Sequence, residues 1–299
     1  MDNAKLPGPR VGVDWSVAAP LLAVHVLALG LAPFTVTAAG LWTCAALYLF
    51  TGFGVTAGAH RLFTHRAFVA APAVREVLAF AFLLSAQGSL RRWVRDHEQH
   101  HRYTDAPGDP HSPREAGFFY AHLGWLWRKP ATPEEDRALY RRFTRHVEPG
   151  VVGGFFRSAG RLTALHLAAM AAATAAGCLA GGLRASASVL VWGFFVRTAL
   201  VLHSTLLVNS AAHLWGGRRY QTGDDARNLG WVALLSLGEG FHNNHHHRPA
   251  AANHGFHAAY ELDATFLVIA ALGAVGLARD LKVYRAGRVQ IWFPSGAAR

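Results

Sequence analysis

The sequence is short of cysteine, of charge and, above all, of acid. Two cysteines in 299 residues, Cys44 and Cys178, both sit in apolar runs, which excludes a disulfide-stapled secreted scaffold. Only 16% of residues are charged and 52% are hydrophobic, so disordered, collagen-like and coiled-coil chains are excluded as well. Asp and Glu number 18 against 29 Lys and Arg, a net charge of +11. A basic excess invites a nucleic-acid partner, but the arginines flank apolar runs, where anionic headgroups or a phosphate-bearing substrate account for them better. No nucleic acid is therefore expected. Histidine is what the chain has in plenty: 18 residues, as many as all its acids. With histidine neutral they add nothing to the basic charge, and they need their own explanation.

The long uncharged stretches come first. Residues 16–39 and 41–59 carry no Asp, Glu, Lys or Arg, and each reaches the roughly 20 residues that span a bilayer as a helix. Gly40 and its small neighbours divide them, giving a tight helical hairpin. A second pair, 163–183 and 185–212, is joined near Gly181-Gly182. The expected fold is an all-α integral membrane protein with four transmembrane helices in two hairpins. Residues 60–162 and 213–299 form a helical cap, and the whole of 1–299 is one domain. Sixteen Lys or Arg lie between Arg61 and Arg161, while the hairpin tips offer only Arg184. The positive-inside rule places cap and termini in the cytoplasm, hence at the plasma membrane if the Ala, Gly and Arg bias marks a bacterial source. The first apolar run is too long for a signal peptide and lacks a cleavage site. Three further apolar stretches, Val74 to Leu90, Leu229 to Leu237 and Thr265 to Leu277, suit interfacial or re-entrant segments under the spans.

Three histidine clusters lie where these spans emerge: His60 with His65, His97-Glu98-Gln99-His100-His101, and His242-Asn243-Asn244-His245-His246. On a helix, positions i, i+3 and i+4 share a face, so each HxxHH string aims three imidazoles one way. The spacing of five between His60 and His65 suits a helix whose end unwinds. Asn209 and His213, at i and i+4, leave the fourth span beside them. Nine imidazoles and one amide then converge at the membrane surface. One metal cannot use nine imidazoles; two at four or five each can. Imidazole suits zinc, copper, iron and nickel alike, and an iron pair in neutral ligands keeps the high positive charge that favours oxidation by O2. A buffering tract is the competing explanation for one cluster, but not for three at one surface. His25, His166 and His203 inside the spans read as packed or hydrogen-bonded. His111 and His122 read as structural, His247, His254 and His257 as surface or supporting groups, and Arg197 as a packing anchor.

With these residues in view, the chain resembles the membrane fatty-acyl desaturases of the stearoyl-CoA desaturase type, in their bacterial branch. The strings that carry the resemblance are Gly54-Val55-Thr56-Ala57-Gly58-Ala59-His60-Arg61-Leu62, Trp93-Val94-Arg95-Asp96-His97, Asn209-Ser210-Ala211-Ala212-His213 and Gly238-Glu239-Gly240-Phe241-His242. They run in the family's order from about residue 40 to 280. The resemblance implies that His60, His65, His97, His100, His101, His213, His242, His245 and His246 bind two non-haem irons. It implies that Asn209 reaches one of them through water, and that a cytosolic cap covers both. It also implies a kinked acyl tunnel bent at Gln87, Trp93 and Thr205, floored by Tyr48 and Gly52, with Arg95, Arg128 and Lys129 meeting the carrier's phosphates. Gly88-Ser89 stand where relatives often carry Asn-Asp, so the carrier stays open between CoA and lipid. No His-Pro-Gly-Gly haem motif occurs, so electrons would come from a separate ferredoxin or small cytochrome.

The implied reaction is O2-dependent insertion of a cis double bond, at delta-9 by the family branch, into a saturated acyl chain. Unactivated methylenes have no acidic proton, so acid–base chemistry alone cannot begin it; the metal supplies the oxidising power and the protein supplies position. The rivals are an acyl or alkyl hydroxylase on the same scaffold and a non-catalytic metal- or haem-binding membrane protein. Transporters hold ligands near the bilayer midplane, whereas these clusters lie outside the spans.

Overall fold

The computed structural model describes residues 11–130, 132–255, 258, 260–285 and 288–292. Helices dominate them. Three stretches are long and apolar enough to cross a membrane: Trp15–Phe34, Ala38–Thr64 and Ala159–His213. The first contains α1, Trp15–Leu31, capped by the Asp14 carboxylate on Ser16 N. The chain breaks at residues 35–37, and Thr37 caps α2, Ala38–Phe53, through Gly40 N. Gly40 is therefore inside a helix and does not make the turn expected of it. Its reason is contact: an added Cβ would sit 2.1 Å from Ser188 Oγ, the close approach that small residues permit between membrane helices.

The third stretch runs 55 residues, which as one straight helix would reach about 80 Å against a hydrocarbon core of about 30 Å. It does not run straight. Within α8, Ala159–Leu190, the backbone leaves helical geometry at Gly181 and Gly182, where Gly182 takes φ 70, a conformation costly for residues with a Cβ. Residues on either side then pack together: Ser186 Oγ donates to Thr174 O at 2.7 Å, and a Cβ on Gly177 would lie 2.6 Å from Ser186 Cα. A π-helical segment, Val191–Val196, leads into α9, Arg197–Ser210.

α1 is tied to α9 by a line of imidazoles. His25 Nε2 lies 3.0 Å from His203 Nε2, and His203 Nδ1 lies 2.8 Å from His122 Nε2 on α5, Pro113–His122. The expectation of hydrogen-bonded histidines is met at His25, His122 and His203. Buried Arg197 donates to the carbonyls of Gly193 and Leu84, so it anchors the end of α3, Pro72–Leu84.

The cap is built from short elements: α4, Leu90–Tyr103; α5; α6, Pro133–Phe143; α7, Gly150–Phe155; α10, Gly230–Leu235; α11, His242–His247; and α12, Ala264–Ala274. Two short antiparallel pairs close it among the described residues: β1, Val69–Ala70, with the distant β2, Ala278–Arg279, and β3, Leu281–Arg285, with β4, Arg288–Trp292. The main core joins the segment that follows α2 to α3 and α4 through buried Phe63, Phe82, Leu83, Leu90 and Val94.

Candidate metal centre

Between α2 and the cap, residues Gly54–Thr64 form a π-helix, and every one of them is buried. Its hydrogen bonds run i to i+5, as His65 N to His60 O shows at 3.1 Å. A spacing of five therefore puts His60 and His65 side by side on continuous helix, their ring centroids 4.9 Å apart. No unwinding is needed, and π-turns concentrate at functional sites.

α4 carries His97, His100 and His101, started by Ser89, whose hydroxyl accepts from Arg92 N. α11 carries His242, His245 and His246. It is pinned by Asn243, whose side-chain oxygen accepts from Arg219 N and Tyr220 N at 2.8 and 2.7 Å. Asn244 Nδ2 donates to His254 O at 2.9 Å. His213 follows α9 in a 3-10 turn, Ala211–His213.

All nine histidines expected from the sequence come together, in two groups. His60, His65, His97, His101 and His245 present ring nitrogens within 4.8 Å of one another; His100, His213, His242 and His246 do the same. Each HxxHH string is divided between the groups, contrary to the expectation that its three rings aim one way. On α4, His97 and His101 go together and His100 crosses over; on α11, His242 and His246 go together and His245 crosses over. The reason is angular. At about 100° per residue, i and i+4 diverge by about 40°, whereas i+3 lies about 100° from i+4.

Carboxylates set the protonation of these rings. His60 Nδ1 lies 2.6 Å from Glu239 Oε2, His100 Nδ1 3.0 Å from Asp109 Oδ2, His213 Nδ1 2.9 Å from Asp105 Oδ2, and His246 Nδ1 2.9 Å from Asp224 Oδ2. Burial raises the Asp105 carboxyl, but His213 together with the bonds from Asp225 N and Ser112 Oγ outweighs it and brings the group down to about 2. Asp109 and Asp224 are lowered in the same contest, by His100 and His246. Ionised carboxylates only accept, so each of these imidazoles donates from Nδ1 and turns a bare Nε2 inward.

Two of those inward atoms, His100 Nε2 and His246 Nε2, are buried with no hydrogen-bond partner. Unpartnered buried acceptors are costly. In the five-histidine group the Nε2 atoms face each other in a chain, His60 to His245 at 3.1 Å, His245 to His101 at 2.9 Å, His101 to His97 at 3.0 Å and His97 to His65 at 3.0 Å. Burial first, then neighbouring imidazoles, hold His65, His97, His101, His242 and His245 well below the ordinary histidine range. Neutral imidazoles with converging lone pairs are the donor set of a divalent transition metal. Both groups fit one.

The acids were not legible as part of the site. Glu239 also accepts from Arg61 Nε and Nη2, at 3.2 and 2.9 Å, and Arg61 Nη1 pairs with Asp263 Oδ2 at 2.9 Å. His254, expected at the surface or as a supporting group, is fully buried in the supporting position, its Nδ1 3.0 Å from Glu239. His111 is buried and stacks on His100 with ring centroids 4.4 Å apart. His257 lies outside the described residues. The signal that could have found the acids is scarcity itself: in so acid-poor a chain, Asp105 and Asp109 closely follow one cluster and Glu239 precedes another.

A cavity opens from these histidines into the membrane region between α2 and α9. Its lining includes His60, His97, His242, Asn209, Tyr48 and Gly52, with Trp93 and Thr205 at its side. Gln87 stands behind that wall, its amide donating to Thr205 Oγ1 at 3.0 Å and accepting from Trp93 Nε1 at 3.3 Å. The Tyr48 hydroxyl donates to Leu235 O, and a Cβ on Gly52 would sit 2.9 Å from Leu237 Cδ1. The three basic residues expected at the carrier differ in their surroundings. Arg95 is buried, paired with Asp96 and Asp136, and lies over the Tyr140 ring. Arg128 and Lys129 lie at the foot of α1, against Gly12 O and Asp14, with the Lys129 side chain 54% exposed.

Comparison with known proteins places this geometry. The fatty acid desaturase family model matches residues 10–270. The chain is 35% identical to delta-9 acyl-lipid desaturase 2 of Arabidopsis thaliana, over 87% of its own length and 80% of the relative's. It is 33% identical to the sn-1 stearoyl-lipid 9-desaturase of Synechocystis sp., over 94% and 85%. An acyl-CoA C20 delta5-desaturase of Anemone leveillei is 37% identical, over 87% and 79%.

Proposed function

The chain belongs to the fatty acid desaturase family, and from that premise we propose that it inserts a cis double bond at delta-9 into a saturated acyl chain esterified in a membrane lipid. The balance is one CH2–CH2 unit, O2, two electrons and two protons giving CH=CH and two waters. The observation that carries the reading is the cavity, which joins histidines of both metal groups to an apolar space deep enough to need α2 and α9 as walls. Two irons, bound by the five-histidine and four-histidine groups, with Asn209 reaching one of them through water, would supply the one-electron chemistry and O2 activation.

The chain's own residues supply the rest. Gln87, Trp93 and Thr205 form a hydrogen-bonded brace, which fixes the cavity wall where the acyl chain must bend; placement at the ångström scale decides which methylenes react. Tyr48, held to Leu235 O, bars the deep end. Apolar walls keep water from the oxidising site. The lipid carrier is favoured by the names of relatives and by Arg95, whose guanidinium is engaged by two carboxylates rather than offered to a phosphate. Arg128 and Lys129, at the foot of α1, suit a headgroup.

Four spans in two hairpins are supported by the break at Gly181-Gly182 and the packing of Thr174 on Ser186. The basic cap then faces the cytoplasm, where a separate ferredoxin or small cytochrome would deliver electrons. Expression in a heterologous host, followed by fatty-acid profiling of each lipid class, tests this. A new delta-9 monoene in lipid, with the acyl-CoA pool unchanged, is the expected result. A monoene appearing first in acyl-CoA would overturn the carrier, and hydroxy acids in its place would overturn the reaction.

A further inference from the structure

Carboxylates are shared unevenly between the two imidazole groups. In the four-histidine group, three of four rings have their own carboxylate on Nδ1: Asp109 on His100, Asp105 on His213 and Asp224 on His246. Among the described residues, no Lys or Arg is paired with these three carboxylates, although Arg218 donates to the backbone carbonyl of Asp224. Their remaining partners are neutral: Ser112 Oγ and Asp225 N for Asp105, Asp105 N and His111 N for Asp109, Thr222 Oγ1 and Ala226 N for Asp224.

The five-histidine group is different. Glu239 alone reaches it, on His60, and the same carboxylate is divided with His254 and held by Arg61. His65, His97, His101 and His245 have no carboxylate partner among the described residues, and His245 Nδ1 is buried without any partner.

An anionic acceptor on the far nitrogen makes an imidazole a stronger ligand, and losing one such partner costs about 10–100-fold in metal affinity. Three uncompensated carboxylates also lie close enough to a divalent cation to attract it through a dry interior. The five-histidine group answers with one more donor, but the one carboxylate that reaches it also binds Arg61, a guanidinium shared with Asp263. Three outer partners against one outweigh a single extra ring.

We propose that the two metal positions are unequal, and that the position formed by His100, His213, His242 and His246 holds its divalent ion more tightly and releases it last. Asp105, Asp109 and Asp224 are the positioning residues that make it so. The inference rests on the two-metal reading above. It is tested without turnover. The full chain in detergent micelles is loaded anaerobically with ferrous iron, counted, and then released to a chromogenic ferrous chelator.

Two irons per chain leaving in two phases is the expected result, with Asp224→Asn or Asp109→Asn quickening only the slow phase, by about 10–100-fold. Glu239→Gln should quicken only the fast phase. A single phase for two irons would overturn the inequality while leaving the two-metal reading intact, as would an Asp224→Asn effect confined to the fast phase. Fewer than two irons in the unsubstituted chain would remove the two-metal reading itself. Because the unsubstituted protein already reports one phase or two, a variant that fails to fold does not decide the matter.

Discussion

Single side chains in the site act through the proton each one keeps or lacks. Where a carboxylate takes Nδ1–H, the imidazole is oriented and its Nε2 is a lone pair. His242→Ala is expected to lower bound iron from two to one per chain in an elemental assay, and to abolish turnover; two irons retained would take His242 out of the ligand set. Protonation gives a second test. In the metal-free chain His246 is brought down to about 4, by burial against the pull of Asp224, while an unfolded histidine titrates near 6.5.

Between those values the unfolded chain binds more protons, so this contribution to stability is whole above about 6.5 and declines as pH falls towards 4. His65, His97, His101, His242 and His245 act in the same direction. Among the described residues His100, raised by Asp109 against its own burial, opposes, as does Glu98, raised by burial. Thermal melting of metal-free protein should therefore fall between pH 7.5 and 4.5, and a flat or rising profile would contradict it. The nine clustered histidines were legible because histidine is dense at fixed spacings. Their acids were not: two of the pairs span the chain, His213 meeting Asp105 108 residues away and His60 meeting Glu239 179 away, and the two nearer ones, His100 with Asp109 and His246 with Asp224, follow no helical spacing.

Elements show a different division. Apolar length alone located the helices of the membrane region, yet it misplaced one turn, because Gly40 reads as a break and serves instead as the contact point for Ser188. The π-helix was equally hidden, since composition does not distinguish i+4 from i+5 bonding; only the five-residue gap between His60 and His65 hinted at it. That segment is packed tightly on α3: a Cβ on Gly54 would lie 2.3 Å from Phe82 N. Gly54→Val should then cost at least the roughly 1–3 kcal/mol of an overpacked core, seen as a lowered melting temperature and loss of iron together. The imidazole line between α1, α9 and α5 is a second seam. Replacing His203 by Leu leaves His25 Nε2 and His122 Nε2 without their partner, and interhelical bonds of this kind contribute about 0.6–1.7 kcal/mol each. Denaturation in mixed micelles should register a loss of that order without loss of iron; loss of iron would mean that the seam also shapes the site.

At the scale of the whole molecule, a cavity lined by Tyr48 opens on histidines of both groups, and the proposed function makes that tyrosine its floor. Tyr48→Ala should extend the range of accepted chains towards longer acids, read as a shift in the monoene profile; an unchanged profile would put the floor elsewhere. The sequence could point to a membrane fold and a histidine site because both are written in runs and spacings. It could not show that Arg95, already beside Asp96 on α4, is also held by Asp136, which depends on how α6 settles over α4. The most direct measurement is reconstitution of iron-loaded protein in a bilayer with a perdeuterated stearoyl lipid, O2 and a competent electron donor, followed by mass spectrometry of the acyl chain. Loss of two deuteriums, one from each of two adjacent carbons, leaving a cis double bond at delta-9, is the expected result. An intact chain or a deuterated hydroxy acid, with two irons bound and electrons delivered, would contradict it.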